Sequence, residues 1–590
     1  MKNPHTWRYL TVQIILALIG LSIPAQIFHL QHSAEAKAIL DAVYRYNGWE
    51  ETFYPKRGDI YDSAGHLLAG NQTVYEVGVD LTTLNALDEN ARPAQENNIA
   101  LAAQLYLDMT YNEAIEKMKN PPYPDSTYVV LADNVAEDKA LELKSLKEKS
   151  LYEPNGHNLN QLGFKAHYQR SYTENSLASN ILGRVPPQDK VGHSGVEEKY
   201  NSLLTGTPLT VWVPADPILA RDLPTPPVGT SLILTFNRDV QAATEEVLDD
   251  AINNTGAASG TIVIMDPKTG EILAMATSPR PNLNDDAHYG DTLSVEHPLN
   301  PAISKDYEPG SVFKILTMAA ALDKGVVKPD TTYFDNGIIL IDNIPIRNWN
   351  NTVWGLQDMT GCLQHSINTC LAWVATQLGK DDFYNYLQKF GIGHTTGIDL
   401  AGETPGQMRL PMLADSGWTP IDLGTNAFGQ GLSVTPIQMV MAASAIANDG
   451  QMIYPHVLYA TVQDGEQKNT SPMVVATPIR AETAHILNEM LATSLEKEAS
   501  KALVPGYRLA GKTGTAQIAP YATNNATNAS FIGWGPLDDP KFLVYVWLEK
   551  PQTDIWGSTV AAPVFKQVVE KLVVLMGIPP DNIRLQPAGP

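Results

Sequence analysis

Three short motifs follow one another along the chain: Ser311-Val312-Phe313-Lys314, then Ser366-Ile367-Asn368, then Lys512-Thr513-Gly514-Thr515. Together they offer a serine hydroxyl with a lysine one turn away, a second hydroxyl, and a basic residue on a separate element. These are the parts that acyl transfer needs when no histidine serves as base. Pro309-Gly310 breaks the chain just before Ser311, which places that serine at a helix start. From Val312 to Leu322 only Lys314 and Thr317 are not apolar, so the helix is expected to be buried all round. Residues three apart share a helical face, so Ser311 and Lys314 lie together. A lysine in apolar surroundings loses hydration, which disfavours its charged form and lets it accept a proton from a hydroxyl. The unpaired N–H groups of a helix N-terminus could hold an oxyanion beside Ser311.

Ser366 and Asn368 read either as caps of a following helix or, with an activated serine nearby, as a proton relay to a leaving amine. His365 has no acidic partner in the sequence around it, so a structural role is expected. Lys512 to Thr515 falls on a predicted strand. There Lys512, Thr513 and Thr515 could bind a substrate carboxylate, Gly514 would allow backbone and ligand to approach closely, and the Thr515 N–H would serve as a second oxyanion donor. The stretch from Ala519 to Asn528 reads as a hairpin loop, with a lid as the alternative. The chain also holds decoys. Ser494-Leu495-Glu496-Lys497 repeats the first pattern on a helical stretch expected to face solvent, and Lys268-Thr269-Gly270 repeats the third in a predicted hairpin turn.

The elements that must position these groups follow from the rest of the chain. At 590 residues it exceeds a single core and divides into several domains. A net charge of −23 argues against nucleic acid as a partner, since phosphates need a basic surface. With two cysteines there is no disulfide framework. Eight residues of straight helix span about 12 Å, so Cys362 and Cys370 could pair only across a bend, and free buried thiols are expected. Lys2, His5 and Arg8 precede an apolar run from Leu10 to Leu30. Its length fits a membrane span with a cytoplasmic N-terminus better than a shorter cleaved signal.

Alternating runs predict a hairpin after Arg57, helices within 83–120, and a proline-rich linker holding Pro214, Pro217, Pro224, Pro226 and Pro227. A strand from Ser231 to Thr235 then leads into a helix. Near the far end, Arg508 to Gln517, Ala529 to Trp534 and Phe542 to Leu548 read as strands in series, closed by a helix from Val560 to Met576. Short connections favour antiparallel pairing, which gives an α/β (α+β) fold with one antiparallel sheet covered by helices. The tail after Gly577 is expected to be unstructured.

The three motifs in this order resemble those of penicillin-binding proteins and class A β-lactamases. Over nearly its whole length the chain resembles a class B penicillin-binding protein. Arg57-Gly58-Asp59-Ile60-Tyr61-Asp62 and Gly192-x-x-Gly195-x-Glu197 resemble the opening and close of that family's pedestal domain. Asn348-Trp349 and Phe428-Gly429-Gln430-Gly431 resemble further signatures of its transpeptidase domain. Thr235-Phe236-Asn237 departs from the usual pattern at a structural position.

The resemblance implies a cytoplasmic tail (1–9), a transmembrane anchor (10–30), a pedestal or dimerisation domain (44–215), a transpeptidase domain (229–577) and a flexible tail (578–590). It further implies that Ser311 is acylated by the D-Ala-D-Ala end of a peptidoglycan stem peptide, with Lys314 as base. Ser366, Asn368 and Lys512 would move protons and position substrate, and Thr513, Gly514 and Thr515 would hold it. No metal or cofactor is called for. β-Lactams would trap Ser311, and a membrane glycan polymerase within an elongation or division complex is the implied partner, with room for a homodimer. The motifs alone leave open a D,D-carboxypeptidase, a β-lactamase-like hydrolase or a non-catalytic β-lactam-binding sensor or scaffold.

Overall fold

A computed structural model describes residues 6–34, 36–38, 48–152, 158–188, 190–214, 224–413, 415–498, 500–519 and 526–586. Residues 1–5 of the expected cytoplasmic tail, Pro217 in the linker, most of the 519–528 loop and residues 587–590 lie outside that set. By contacts the chain forms two units, residues 1–56 with 205–229 and residues 57–204 with 230–590.

In the first unit Thr6–Gln31 is a helix whose residues are exposed along its described length, and an 18-residue stretch of it has a mean hydropathy of 1.9. Its 26 residues would extend about 39 Å, enough to cross a hydrocarbon core of about 30 Å. Gly48–Phe53 pairs antiparallel with Leu209–Pro214 in the same unit.

The second unit contains two principal sheets. The five-stranded one runs Ala510–Gln517, Thr527–Gly535, Phe542–Glu549, Ser259–Met265, Ile272–Ser278, antiparallel throughout. Its central strands are buried at every position, because helices cover both faces. Alternation then divides one apolar run between two cores. Ile262 and Ile264 pack with Val240, Val544 and Phe565, whereas Val263 and Met265 pack with Phe313, Leu316 and Tyr545. The helices Arg238–Thr255 and Gly557–Leu575 belong to the first of these cores. Lys314–Lys324 and Pro436–Ala447 belong to the second.

Ser231–Leu234 is not in that sheet, contrary to the expectation of a single antiparallel sheet. It pairs parallel with Ile60–Tyr61 and antiparallel with Leu458–Gln463, within a mixed seven-stranded sheet that also holds Leu67–Asp80, Tyr128–Ala136 and Leu162–Tyr172. Leu232 and Leu234 share a core with Ile60 and Leu68, so this short apolar strand binds the two parts of the unit together.

The two ends of the Arg57 to Glu197 region meet at one buried carboxylate. Arg57 Nε donates to Glu197 Oε2 at 2.7 Å and Arg170 Nε to Oε1 at 2.6 Å. Charges this deep are tolerated only when paired and hydrogen-bonded, which explains both motif ends. The third member, Arg170, carried no sequence signal. Tyr200 then donates to Asp399 Oδ2 at 2.7 Å, a further tie to the segment after residue 230.

The tail differs from the unstructured segment expected. Asp581–Arg584 forms a helical turn, and Arg584 bonds Asp538 Oδ1 at 2.7 Å and Asp581 Oδ1 at 2.6 Å.

Candidate active site

Ser311 lies in a 3₁₀ turn, Gly310–Phe313, that leads directly into the α-helix Lys314–Lys324. The turn is set by glycines on both sides of it. Gly310 has φ +60° and donates its N–H to the Gly429 carbonyl at 2.9 Å. Gly429 has φ +80°, and a Cβ there would fall on the Gly310 carbonyl oxygen and stand 2.8 Å from Phe313 Cβ. Phe428-Gly429-Gln430-Gly431 is therefore the seat of the serine turn. Ser311 itself is half-buried on the wall of a cleft of about 790 Å³.

Lys314 is wholly buried. Its Nζ is 2.6 Å from the Ser366 carbonyl, 2.8 Å from Asn368 Oδ1 and 3.1 Å from Ser366 Oγ. Burial, and then the neighbouring charge of Lys512, pushes its pKa well below the ordinary lysine value. A neutral amine has two hydrogens and one lone pair. Two of the contacts, the Ser366 carbonyl and Asn368 Oδ1, are pure acceptors and use the two hydrogens. The lone pair is then available to a hydroxyl, as a general base requires. Asn368 is held in that orientation because its Nδ2 donates to the Arg347 carbonyl at 3.3 Å.

Ser366 sits at φ +53°, in the left-handed region that costs a non-glycine residue about 1 kcal/mol or more. It occupies the bend between the helices Met359–Gln364 and Asn368–Leu378. Cys362 and Cys370 are joined across this bend as a disulfide, with Cα atoms 6.1 Å apart. The expected free thiols are thus corrected. The bend at Ser366 folds the second helix back, so the 12 Å of a straight helix never arises. The bond closes a clamp around the residues that meet Lys314.

Lys512 lies on the edge strand of the five-stranded sheet and approaches the same hydroxyl from the other side. Its Nζ is 3.1 Å from Ser366 Oγ, 3.1 Å from the Thr513 carbonyl and 3.3 Å from Thr513 Oγ1. Burial lowers its pKa to about 8, against the opposing pull of Glu498. Thr513 and Thr515 line the cleft, and Thr515 Oγ1 accepts the Gly557 N–H at 2.9 Å, which leaves its hydroxyl hydrogen to donate. Gly514 is not among the lining residues. A Cβ there would overlap Ser530 Oγ and stand 2.8 Å from Val312 Cγ1, so its bareness lets the strand pack on the serine turn rather than admit a ligand.

Three features of the cleft join residues whose partners the sequence did not reveal. His365 stacks on Trp354, with ring centroids 4.0 Å apart, and its Nδ1 is 2.7 Å from Glu498 Oε2. The acidic partner missing from its sequence neighbourhood is supplied by a distant helix. Trp349 and Trp556 face each other at 4.5 Å on the cleft wall. Asn348 is buried and donates to Asp335 Oδ2 at 2.8 Å, steadying the segment next to Asn368. Of the decoys, Lys268-Thr269-Gly270 is the turn between Ser259–Met265 and Ile272–Ser278. Ser494 is buried rather than solvated, its hydroxyl committed to the Met490 carbonyl at 2.7 Å.

Residues 260–570 match the penicillin binding protein transpeptidase domain, and residues 52–211 match the penicillin-binding protein dimerisation domain. The chain belongs to the penicillin-binding protein transpeptidase family, and the pairing of these two domains makes it class B. It is 33% identical over 551 residues to stage V sporulation protein D of Bacillus subtilis, covering 90% of this chain and 80% of that one. It is 28% identical to the peptidoglycan D,D-transpeptidase MrdA of Acinetobacter baumannii, covering 87% and 80%. Penicillin binding protein 3 of Mycobacterium tuberculosis, solved in complex with aztreonam, has a similar fold, with a TM-score of 0.67 at 24% identity over 90% of this chain and 98% of that one.

Proposed function

We propose that this protein is a serine-type peptidoglycan D,D-transpeptidase that cross-links stem peptides through an acyl-enzyme at Ser311. One observation carries the reading: two lysine amines, from a helix and from a strand, each approach Ser366 Oγ at 3.1 Å in the cleft that Ser311 lines. Lys314 takes the Ser311 proton as Oγ attacks the carbonyl of a D-Ala-D-Ala terminus. Ser366 lies between the two amines and passes a proton to the departing D-alanine. Lys512, Thr513 and Thr515 receive the terminal carboxylate. The Ser311 and Thr515 N–H groups hold the oxyanion, a role supported by the position of that strand at the edge of the sheet among the described residues. An amine from a second stem peptide then displaces Ser311.

β-Lactams acylate the same hydroxyl; the M. tuberculosis protein of similar fold was solved in complex with aztreonam. The 44–215 segment acts as pedestal and the 229–577 segment as catalytic domain. The Thr6–Gln31 helix anchors the chain with its catalytic part outside the cytoplasm, beside a membrane glycan polymerase of an elongation or division complex, alone or as a homodimer.

Labelling of the full chain with a fluorescent penicillin tests this reading. Ser311→Ala should abolish covalent labelling and Ser494→Ala should retain it; the opposite pattern ends the assignment.

A further inference from the structure

The cleft has an electrostatic asymmetry that the donor half of the reaction does not use. Its lining includes the cations Lys512 and Arg347, and Lys314 lies behind Ser366. Among the described lining residues Glu498 is the one carboxylate. It ends the Ala481–Glu498 helix with its side chain 43% exposed, and its Oε2 is 2.7 Å from His365 Nδ1. His365 immediately precedes Ser366, so this pair stands one residue from the proton relay. A substrate carboxylate gains nothing from Glu498. An amine does, because the attacking group of a cross-linking reaction is an ammonium ion at neutral pH and would be repelled by the lysines.

We infer that Glu498 and His365 form the acceptor subsite: Glu498 binds the incoming primary ammonium and His365 takes its surplus proton. This rests on the transpeptidase reading above. The balance is complete with these groups. An ammonium R–NH₃⁺ loses two protons on becoming an amide. The first goes to His365, which frees the nitrogen lone pair. The N–C bond then forms as the Ser311 Oγ–C bond breaks, and the second proton passes through Lys314 and Ser366 to Ser311 Oγ. His365 later releases its proton to solvent. Stacking on Trp354 fixes the imidazole plane, Glu498 is its ion-pair partner, and Lys512 and Arg347 are the other charged residues that line the cleft with it.

The test separates the two half-reactions on the full chain in detergent. A thioester analogue of the D-Ala-D-Ala terminus is the donor. D-alaninamide, charged at neutral pH, is compared with hydroxylamine, which is not. E498Q should raise the KM for D-alaninamide by about fivefold, with a much smaller effect on hydroxylamine transfer. H365N should lower kcat for D-alaninamide at neutral pH, with recovery as pH rises and free amine becomes available, and again little effect on hydroxylamine. Parallel loss of penicillin acylation and of both transfers in either variant would mean a structural role for the turn before Ser366 and would overturn the subsite. Equal sensitivity of the two acceptors would also overturn it. A wild-type enzyme that is acylated but transfers to no amine overturns the transpeptidase reading and the subsite together, whereas wild-type transfer that E498Q leaves intact overturns the subsite alone.

Discussion

Replacing Lys512 by methionine should move the acid limb of the acylation pH profile upward. Lys314 must be unprotonated to accept the Ser311 proton, so the limb reports its titration. Two causes hold that titration down: first burial, which the substitution leaves in place, and then repulsion from Lys512, which it removes. Each Nζ is 3.1 Å from Ser366 Oγ, so the amines are at most about 6 Å apart. At an effective dielectric of about 20, two unit charges at that distance repel by about 3 kcal/mol. Lys512, with a pKa of about 8, carries its charge below that pH.

The sign follows directly. A cation beside Lys314 disfavours a second proton, so its removal raises the Lys314 pKa. Activity is then lost between the old limb and the new one and returns at higher pH. The assay is the second-order rate of labelling by a fluorescent penicillin at saturating time resolution, measured from pH 5 to 10 on wild type and Lys512→Met. Lost carboxylate binding will lower the whole curve, so the diagnostic is the position of the limb. A limb displaced by less than half a unit would refute the coupling of the two lysines.

Other outcomes follow from the same structure. Glu197→Gln leaves Arg57 and Arg170 buried without their counter-charge and should cost about 3–5 kcal/mol in chemical denaturation; a loss under about 1 kcal/mol would show that the cluster is not held by charge. Gly429→Ala places a side chain at φ +80° against the Gly310 carbonyl, so acylation should fall about tenfold or more as the serine turn shifts. Wild-type acylation by that variant would remove the turn from its proposed role. Replacing both Cys362 and Cys370 by serine opens an eight-residue clamp and should lower stability by about 2–3 kcal/mol, read as a reduced Tm, together with slower acylation. Unaltered Tm and acylation would show that the bend at Ser366 is held by packing alone.

What the chain order determined by itself was chemical. Ser311 after Pro309-Gly310, and Lys314 within an unbroken apolar helix, already imply a desolvated amine beside a hydroxyl, because both facts are local to a few turns of backbone. The strands 510–517, 527–535 and 542–549 were legible for a similar reason: extended runs that follow one another in series favour antiparallel pairing with their neighbours in sequence. Tertiary structure decided the long-range meetings. The fold brings Glu498 to His365, Arg170 to Glu197 and Ser231–Leu234 to Ile60–Tyr61, and no periodicity records a partner that far along the chain. It also joined Cys362 to Cys370, across a left-handed bend at Ser366 whose carbonyl and hydroxyl are bonded by Lys314 and Lys512 from distant elements. Spacing in sequence reports which groups share an element. Only packing of one element on another reports which groups share a cleft.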